Sequence, residues 1–120
     1  MIAKDELSCF GCGDRLYVVL AERQFTVESY QPSDPDYFGN ALLVVTNDVL
    51  RLRFATDRGD VFVELSPRSR EEWFGLRLMT KLAFPELMSP DGIRLRLGLE
   101  ETLVHLLGSG WQATVSLLSE

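Results

Sequence analysis

Residues 41–66, ALLVVTNDVLRLRFATDRGDVFVELS, decide the fold of this chain. Runs of apolar and β-branched residues alternate there with two short polar pairs, Asn47-Asp48 and Arg58-Gly59, and such pairs occupy the tight turns of β-hairpins. The stretch therefore predicts a meander in which each turn joins two antiparallel strands. The three strands are predicted at residues 41–46, 49–56 and 61–66.

Counting outward from each turn predicts which side chains lie opposite each other, because neighbouring residues on a strand point to opposite faces. The Arg58-Gly59 turn pairs Arg53 with Glu64 on one face. On the other face it pairs Thr56 with Val61, Phe54 with Val63, and Leu52 with Leu65. To this second face the Asn47-Asp48 turn adds the pairs Val45 with Leu50, Leu43 with Leu52, and Ala41 with Phe54. The meander thus has an apolar inner face and an outer face carrying Leu42, Val44, Arg51, Arg53, Phe62 and Glu64.

The segments on either side of the meander favour helices and one further strand. The further strand is predicted at residues 24–30. Residues 4–23 fit either a helix or a strand, and we favour the helix. Ser69 followed by Glu72 is typical of a capping box at a helix start, and this helix is predicted to end before Pro85. We also predict a short strand at 93–97, a helix at 99–107, and a helix or strand at 111–118. Helices on one face of an antiparallel meander of about four strands give an α+β two-layer fold.

The composition of the 120 residues is that of one ordinary domain, with a net charge of −6 and 46% hydrophobic residues. It contains no apolar run near the roughly 20 residues of a membrane span, and the acidic start does not resemble a secretory signal. The charge is −5 over residues 1–48 (three bases, eight acids), +2 over 49–96 (nine bases, seven acids) and −3 over 97–120 (three acids). An acidic chain repels phosphate and attracts basic partners. We therefore predict a single cytoplasmic domain, 1–120, that binds neither nucleic acid nor membranes.

Candidates for catalytic or metal-binding residues are few. Cys9 and Cys12 form one C-x-x-C, a spacing found in redox dithiols and zinc sites, but the chain has no other cysteine and only one histidine, His105. We interpret the cysteines as packing or surface thiols and His105 as a structural residue. No catalytic residue, cofactor or metal is predicted.

The loop SDPDYFGN places two acids beside two aromatic residues, Tyr37 and Phe38. Aromatic anchors next to acids suit a surface that binds a basic protein partner. The alternative is that Phe38 packs under the sheet while the acids keep the loop hydrated. Two further acids flank the second hairpin turn, where aspartate is also favoured for backbone reasons. The predicted partner-binding residues are Asp34, Asp36, Tyr37, Phe38, Asp57 and Asp60.

Three segments, FGNALLVV, LRLRFATDRGDVFVEL and EEWFGL, follow one another between Phe38 and Leu76. This succession resembles a group of small bacterial proteins of uncharacterised or immunity type that are associated with polymorphic toxin systems. The resemblance implies an α+β protein that binds and neutralises a cognate toxin. In this chain the acidic surface would cover the basic active site of a nuclease-type toxin domain. The C-x-x-C is not part of the resemblance.

Two other classes of function remain open. The first is a small ligand-binding domain or enzyme with a pocket between the sheet and the helices, walled by Trp73, Tyr17 or His105. The second is a homo-oligomeric module, such as a homodimer, that associates through the apolar residues of the outer sheet face, Leu42, Val44 and Phe62.

Overall fold

A sheet of five antiparallel strands, in the order β1-β2-β3-β4-β5, runs through the described part of the chain. The computed structural model describes residues 2–32 and 40–119. The strands are β1 Thr26–Gln31, β2 Leu42–Thr46, β3 Leu50–Asp57, β4 Asp60–Pro67 and β5 Phe74–Gly75. The helices are α1 Lys4–Ser8, α2 Asp14–Glu22, α3 Leu76–Ala83, α4 Leu99–Leu107 and α5 Trp111–Leu118, and a 3-10 turn spans Pro85–Leu87. The predicted α+β class is confirmed.

The β3–β4 hairpin has the predicted register. Arg53 lies opposite Glu64 and Phe54 lies opposite Val63. Only two residues form the turn, Arg58 at φ 53° and Gly59 at φ 87°. Both are in the left-handed region that this hairpin turn requires, so the arginine adopts a conformation that glycine or asparagine adopts more readily.

The predicted register of the β2–β3 hairpin is wrong by two residues. Leu43 lies opposite Phe54 and Val45 opposite Leu52, instead of Leu52 and Leu50. The cause is the side chain of Asn47, whose Oδ1 accepts the N–H groups of Val49 at 2.8 Å and Leu50 at 2.9 Å. These bonds widen the turn to residues 47–50. Because a shift by two keeps every side chain on its face, the predicted inner face is still the buried one.

Three predictions outside the meander are changed by the structure. The helix expected at Ser69 begins at Leu76, because Phe74 and Gly75 first pair with β4 as the strand β5. Residues 93–97 do not form a strand; only Leu95 bridges to Met88. The helix favoured for residues 4–23 is confirmed but divided into α1 and α2, with the C-x-x-C between them. Residues 111–118 form a helix, α5, rather than a strand.

The core lies between the inner sheet face and the helices. Phe54 at the centre of β3 is fully buried, and its ring lies 5.6 Å from that of Phe10, which follows α1.

No helix in residues 2–32 and 40–119 is long and apolar enough to cross a membrane.

Two charged side chains hold α2 against α4 by binding free backbone groups at helix ends. The carboxylate of Glu100, in α4, accepts the N–H groups of Gly13 at 2.6 Å and Leu16 at 3.2 Å at the start of α2. The guanidinium of Arg23, just after α2, donates to the carbonyl oxygens of Leu107 at 2.8 Å and Gly108 at 3.1 Å at the end of α4. The helical layer is therefore fixed at both ends of this pair.

Candidate partner-binding surfaces of the sheet

The predicted binding loop is connected to the tip of the β3–β4 hairpin. Its four predicted residues, Asp34, Asp36, Tyr37 and Phe38, lie outside the described residues. The described chain resumes at Asn40, whose Oδ1 accepts the N–H of Arg58 at 3.1 Å. The N–H of Ala41 donates to Oγ1 of Thr56 at 2.7 Å. The chain that leaves the loop is thus fixed beside the hairpin tip.

The other two predicted residues, Asp57 and Asp60, close the hairpin turn and lie opposite each other. Both are exposed, and neither forms an ion pair with any residue of the described ranges. The structure therefore places these two acids and the anchored end of the loop at one end of the sheet. Asp60 is also one of the residues that line a groove beside β4, described below. Asp57, the last residue of β3, does not line that groove.

The outer face of the sheet is occupied by a network of charges around Trp73. Arg53 bonds to Oε1 of Glu64 at 2.7 Å, which confirms their predicted pairing, and its guanidinium lies 4.2 Å from the Trp73 ring centre. Arg51 bonds to Glu28 at 2.8 Å and lies 5.4 Å from the same ring. Trp73 therefore does not wall a pocket between sheet and helices. Sequence reasoning placed it in a helix and missed this cation–π contact.

The apolar residues predicted on this outer face do not form one exposed patch. Val44 is buried, Leu42 is half-buried, and Phe62 is 50% exposed near the free edge of β4. The homo-oligomer hypothesis requires association through the outer face of the sheet. Of these three residues, only Phe62 is a large apolar side chain that is exposed for such a contact.

A groove of about 640 Å³ runs along the outer edge of β4. The strand β5 pairs with β4 only at Glu64 and Leu65, and no described strand covers the edge of residues 60–63. Val61 and Val63 line the groove on the strand side, and its opposite walls include Leu76, Arg77, Leu95 and Leu99. The groove begins where the pairing of β5 with β4 ends and α3 starts.

The edge of residues 60–63 presents backbone groups to this groove. In a two-residue hairpin closed by Asp57 and Asp60, the N–H and C=O groups of Asp60 and Phe62 point towards β3. Those of Val61 and Val63 then point away from β3. The pairing of Glu64 with Gly75 engages the C=O of Val63 with the N–H of Leu76, so both groups of Val61 and the N–H of Val63 face the groove. Sequence reasoning found β4 but not its free edge, since the edge depends on where β5 ends and α3 begins.

The two cysteines differ in environment. Cys12 is buried, its Sγ lies 3.6 Å from the carbonyl oxygen of Phe10, and burial, together with the charge of Glu100, raises the pKa of its thiol to about 11. Cys9 is exposed, with its Sγ 3.7 Å from the hydroxyl of Tyr30 in β1, a contact that raises the pKa of Tyr30. A thiol as weakly acidic as Cys12 is a poor nucleophile at neutral pH.

The structure separates the residues considered for a ligand pocket. Tyr17 lines a cavity of about 230 Å³ next to Phe25, which is smaller than the roughly 300–1,000 Å³ of typical ligand sites. His105 packs edge-on against Phe84, with ring centres 4.6 Å apart. Across residues 2–32 and 40–119, no three His, Cys, Asp or Glu side chains form a group that could hold a metal ion.

Comparisons with protein-family models, with curated proteins and with solved structures find no match for this chain.

Proposed function

We propose that this chain is a non-enzymatic protein-binding module that recognises a basic partner with the acidic end of its sheet. In its narrower form, which rests on the sequence resemblance, the chain is an immunity protein and the partner a toxin domain. The recognition surface consists of the predicted residues Asp34, Asp36, Tyr37 and Phe38 together with Asp57 and Asp60.

The observation that carries the proposal is the hydrogen bond from the N–H of Arg58 to Oδ1 of Asn40, at 3.1 Å. This bond joins the end of the acidic, aromatic loop to a hairpin tip that carries Asp57 and Asp60 with Arg58 between them, a net charge of −1. Because Asp57 and Asp60 have no cationic partner in the described part of the chain, their charges are available to a basic group. Charges of one sign on a surface raise the association rate with an oppositely charged partner and make it sensitive to salt.

The hairpin tip is supported from behind by the chain that leaves the loop. The Ala41 and Thr56 backbones and the Thr56 hydroxyl exchange two hydrogen bonds, of 2.7 and 3.0 Å, immediately behind the tip. These bonds reduce the conformational entropy that the described tip residues, Asp57 and Asp60, lose on binding.

The test uses the purified protein encoded by the gene adjacent to that of this chain, with binding measured by isothermal titration calorimetry at two salt concentrations. We expect binding that weakens with salt, and a further loss of at least about tenfold in Asp57→Lys. Asp57 is the residue to change because it does not line the groove along β4.

Asp48→Lys is the matched control, since Asp48 is an exposed acid at the β2–β3 turn, at the opposite end of β3. Its affinity should stay within about twofold of the unmodified chain. Absence of binding, or an equal loss in Asp48→Lys and Asp57→Lys, contradicts the proposal.

A further inference from the structure

We propose that the open edge of β4, residues 60–63, pairs antiparallel with the same edge of a second copy of this chain. The two sheets would then continue into each other across a twofold axis. This association goes beyond the proposed function and does not rest on it, since it is measured on the chain alone. Asp60 belongs to both surfaces, whereas Asp57 and Asn40, on the β2 side of the hairpin tip, stay uncovered.

Backbone geometry supplies the first argument. Both outward groups of Val61 and the outward N–H of Val63 have no strand beside them in the described part of the chain, and an edge of this kind is a template for a further strand. The strand β5 already occupies the edge at Glu64 and Leu65. A second strand is therefore limited to the four residues 60–63, so the contact is short and the association weak.

The walls of the groove give the contact an apolar component. Leu95 and Leu99 line the groove together with Leu76, at the start of α3. On the outer face, Phe62 is 50% exposed. Antiparallel pairing about a twofold axis brings the Phe62 rings of the two copies to the same face of the continuous sheet, where their exposed area would be reduced.

The distribution of charge identifies the occupant as a second copy. One end of the groove is acidic, because Asp60 closes the hairpin, and the other end carries Arg77 in the first turn of α3. Neither Asp60 nor Arg77 forms an ion pair with a described residue. Glu64 lies at the same end of the groove as Arg77, but it is already bonded to Arg53. Antiparallel pairing of two copies places each Asp60 end on the Arg77 end of the other copy. The groove is therefore complementary to itself.

Sedimentation equilibrium of the full chain tests this proposal. The average mass should rise from 13.6 kDa towards twice that value between about 10 μM and 1 mM, the range of a short, weak interface. Asp60→Arg and Arg77→Glu should each weaken association at least about fivefold, because each places like charges together. The double variant should restore the association to within about twofold, since it reverses both ends of the contact.

Asp48→Arg and Arg15→Glu are the matched controls, since both residues are exposed and lie on other elements. They should leave association within about twofold of the unmodified chain. If a single charge variant fails to fold by circular dichroism, Phe62→Arg takes its place, with the same fivefold loss expected. A mass of one copy throughout the range overturns the proposal, as does a double variant that associates no better than the single variants.

Discussion

The two edges of the sheet are protected to very different degrees. At β1 the register shifts between Val27 and Ser29, and the intervening Glu28 bonds to Arg51 across the outer face. A bulge together with a charged side chain is a common way to prevent a further strand from pairing with an edge. At β4, residues 60–63 have no register shift and lie beside the groove, whose lining includes Leu76, Leu95 and Leu99. The comparison favours β4 over β1 as the edge for the proposed association.

The largest effect is expected at β3, which supports both edges from the centre of the sheet. Phe54→Ala removes a fully buried ring that contacts Phe10, and should lower the free energy of unfolding by about 3–5 kcal/mol. Phe62→Ala makes the same substitution at a half-exposed site of β4 and should cost less than about 1 kcal/mol. Urea denaturation of dilute protein measures both values, and equal losses would show that the two faces are not distinguished by burial.

Proline substitutions on β4 separate the backbone groups that bond to β3 from those that face the groove. Phe62→Pro removes an N–H that points towards β3 and should lower the free energy of unfolding by about 1–3 kcal/mol. Val61→Pro removes an N–H that points away from β3. Its free energy of unfolding should fall by at least about 1 kcal/mol less than that of Phe62→Pro, and its self-association should still be reduced. Urea denaturation together with sedimentation tests this. A greater loss of stability in Val61→Pro would reverse the assignment of the edge.

The C-x-x-C segment, which touches the β1 edge through Cys9 and Tyr30, should give stability a pH dependence. The folded-state pKa of Cys12, about 11, is above the ordinary value of 9.0, so the folded chain retains the thiol proton more strongly than the unfolded chain. Stability is then fully present below pH 9 and falls as the pH rises from 9 to 11.

Cys12→Ser should show a smaller fall than the unmodified chain when thermal midpoints are recorded across that range of pH, and Cys9→Ser should keep the contribution of Cys12. The raised pKa of Tyr30 adds a separate fall above its ordinary value of 10.0, which remains in Cys12→Ser. If Cys12→Ser and the unmodified chain lose stability in parallel, the thiol of Cys12 is not the source of the dependence.

The smallest effect is expected for the ion pair that protects β1. Glu28 and Arg51 are partly exposed, and such pairs contribute about 1 kcal/mol or less. A double-mutant cycle with Glu28→Gln and Arg51→Gln, measured by urea denaturation, should give a coupling of that size. Self-association should remain unchanged in Glu28→Gln. A gain in association there would mean that β1 is a second associating edge.

The sequence predicts strand register correctly where a turn has the length that its central residue pair indicates. The Arg58-Gly59 pair fixes the β3–β4 register, including the Arg53–Glu64 pair. The β2–β3 register was missed because one side chain, Asn47, adds two residues to the turn. The capping box at Ser69 was misleading because the pairing of Phe74 with Leu65 takes precedence over a local helix signal.

The candidate surfaces were only partly predictable for a related reason. The acids of the hairpin tip are local to the turn, so counting from Arg58-Gly59 locates them. The groove depends on the distance between β4, the start of α3 and Leu95, three elements that are separate in sequence. The hydrophobic periodicity of one segment does not predict which distant segments lie beside it. The contact of Trp73 with Arg53 was missed for the same reason.

Hydrogen exchange of single backbone amides tests most directly the claim that β4 is the open, associating edge. In dilute protein, the amides of Val61 and Val63 should exchange much faster than that of Phe62, which bonds to β3. On raising the concentration to about 1 mM, these two amides should become protected while those of β1 keep their rates. Protection of Val61 and Val63 that does not depend on concentration, or concentration-dependent protection confined to β1, would contradict the account.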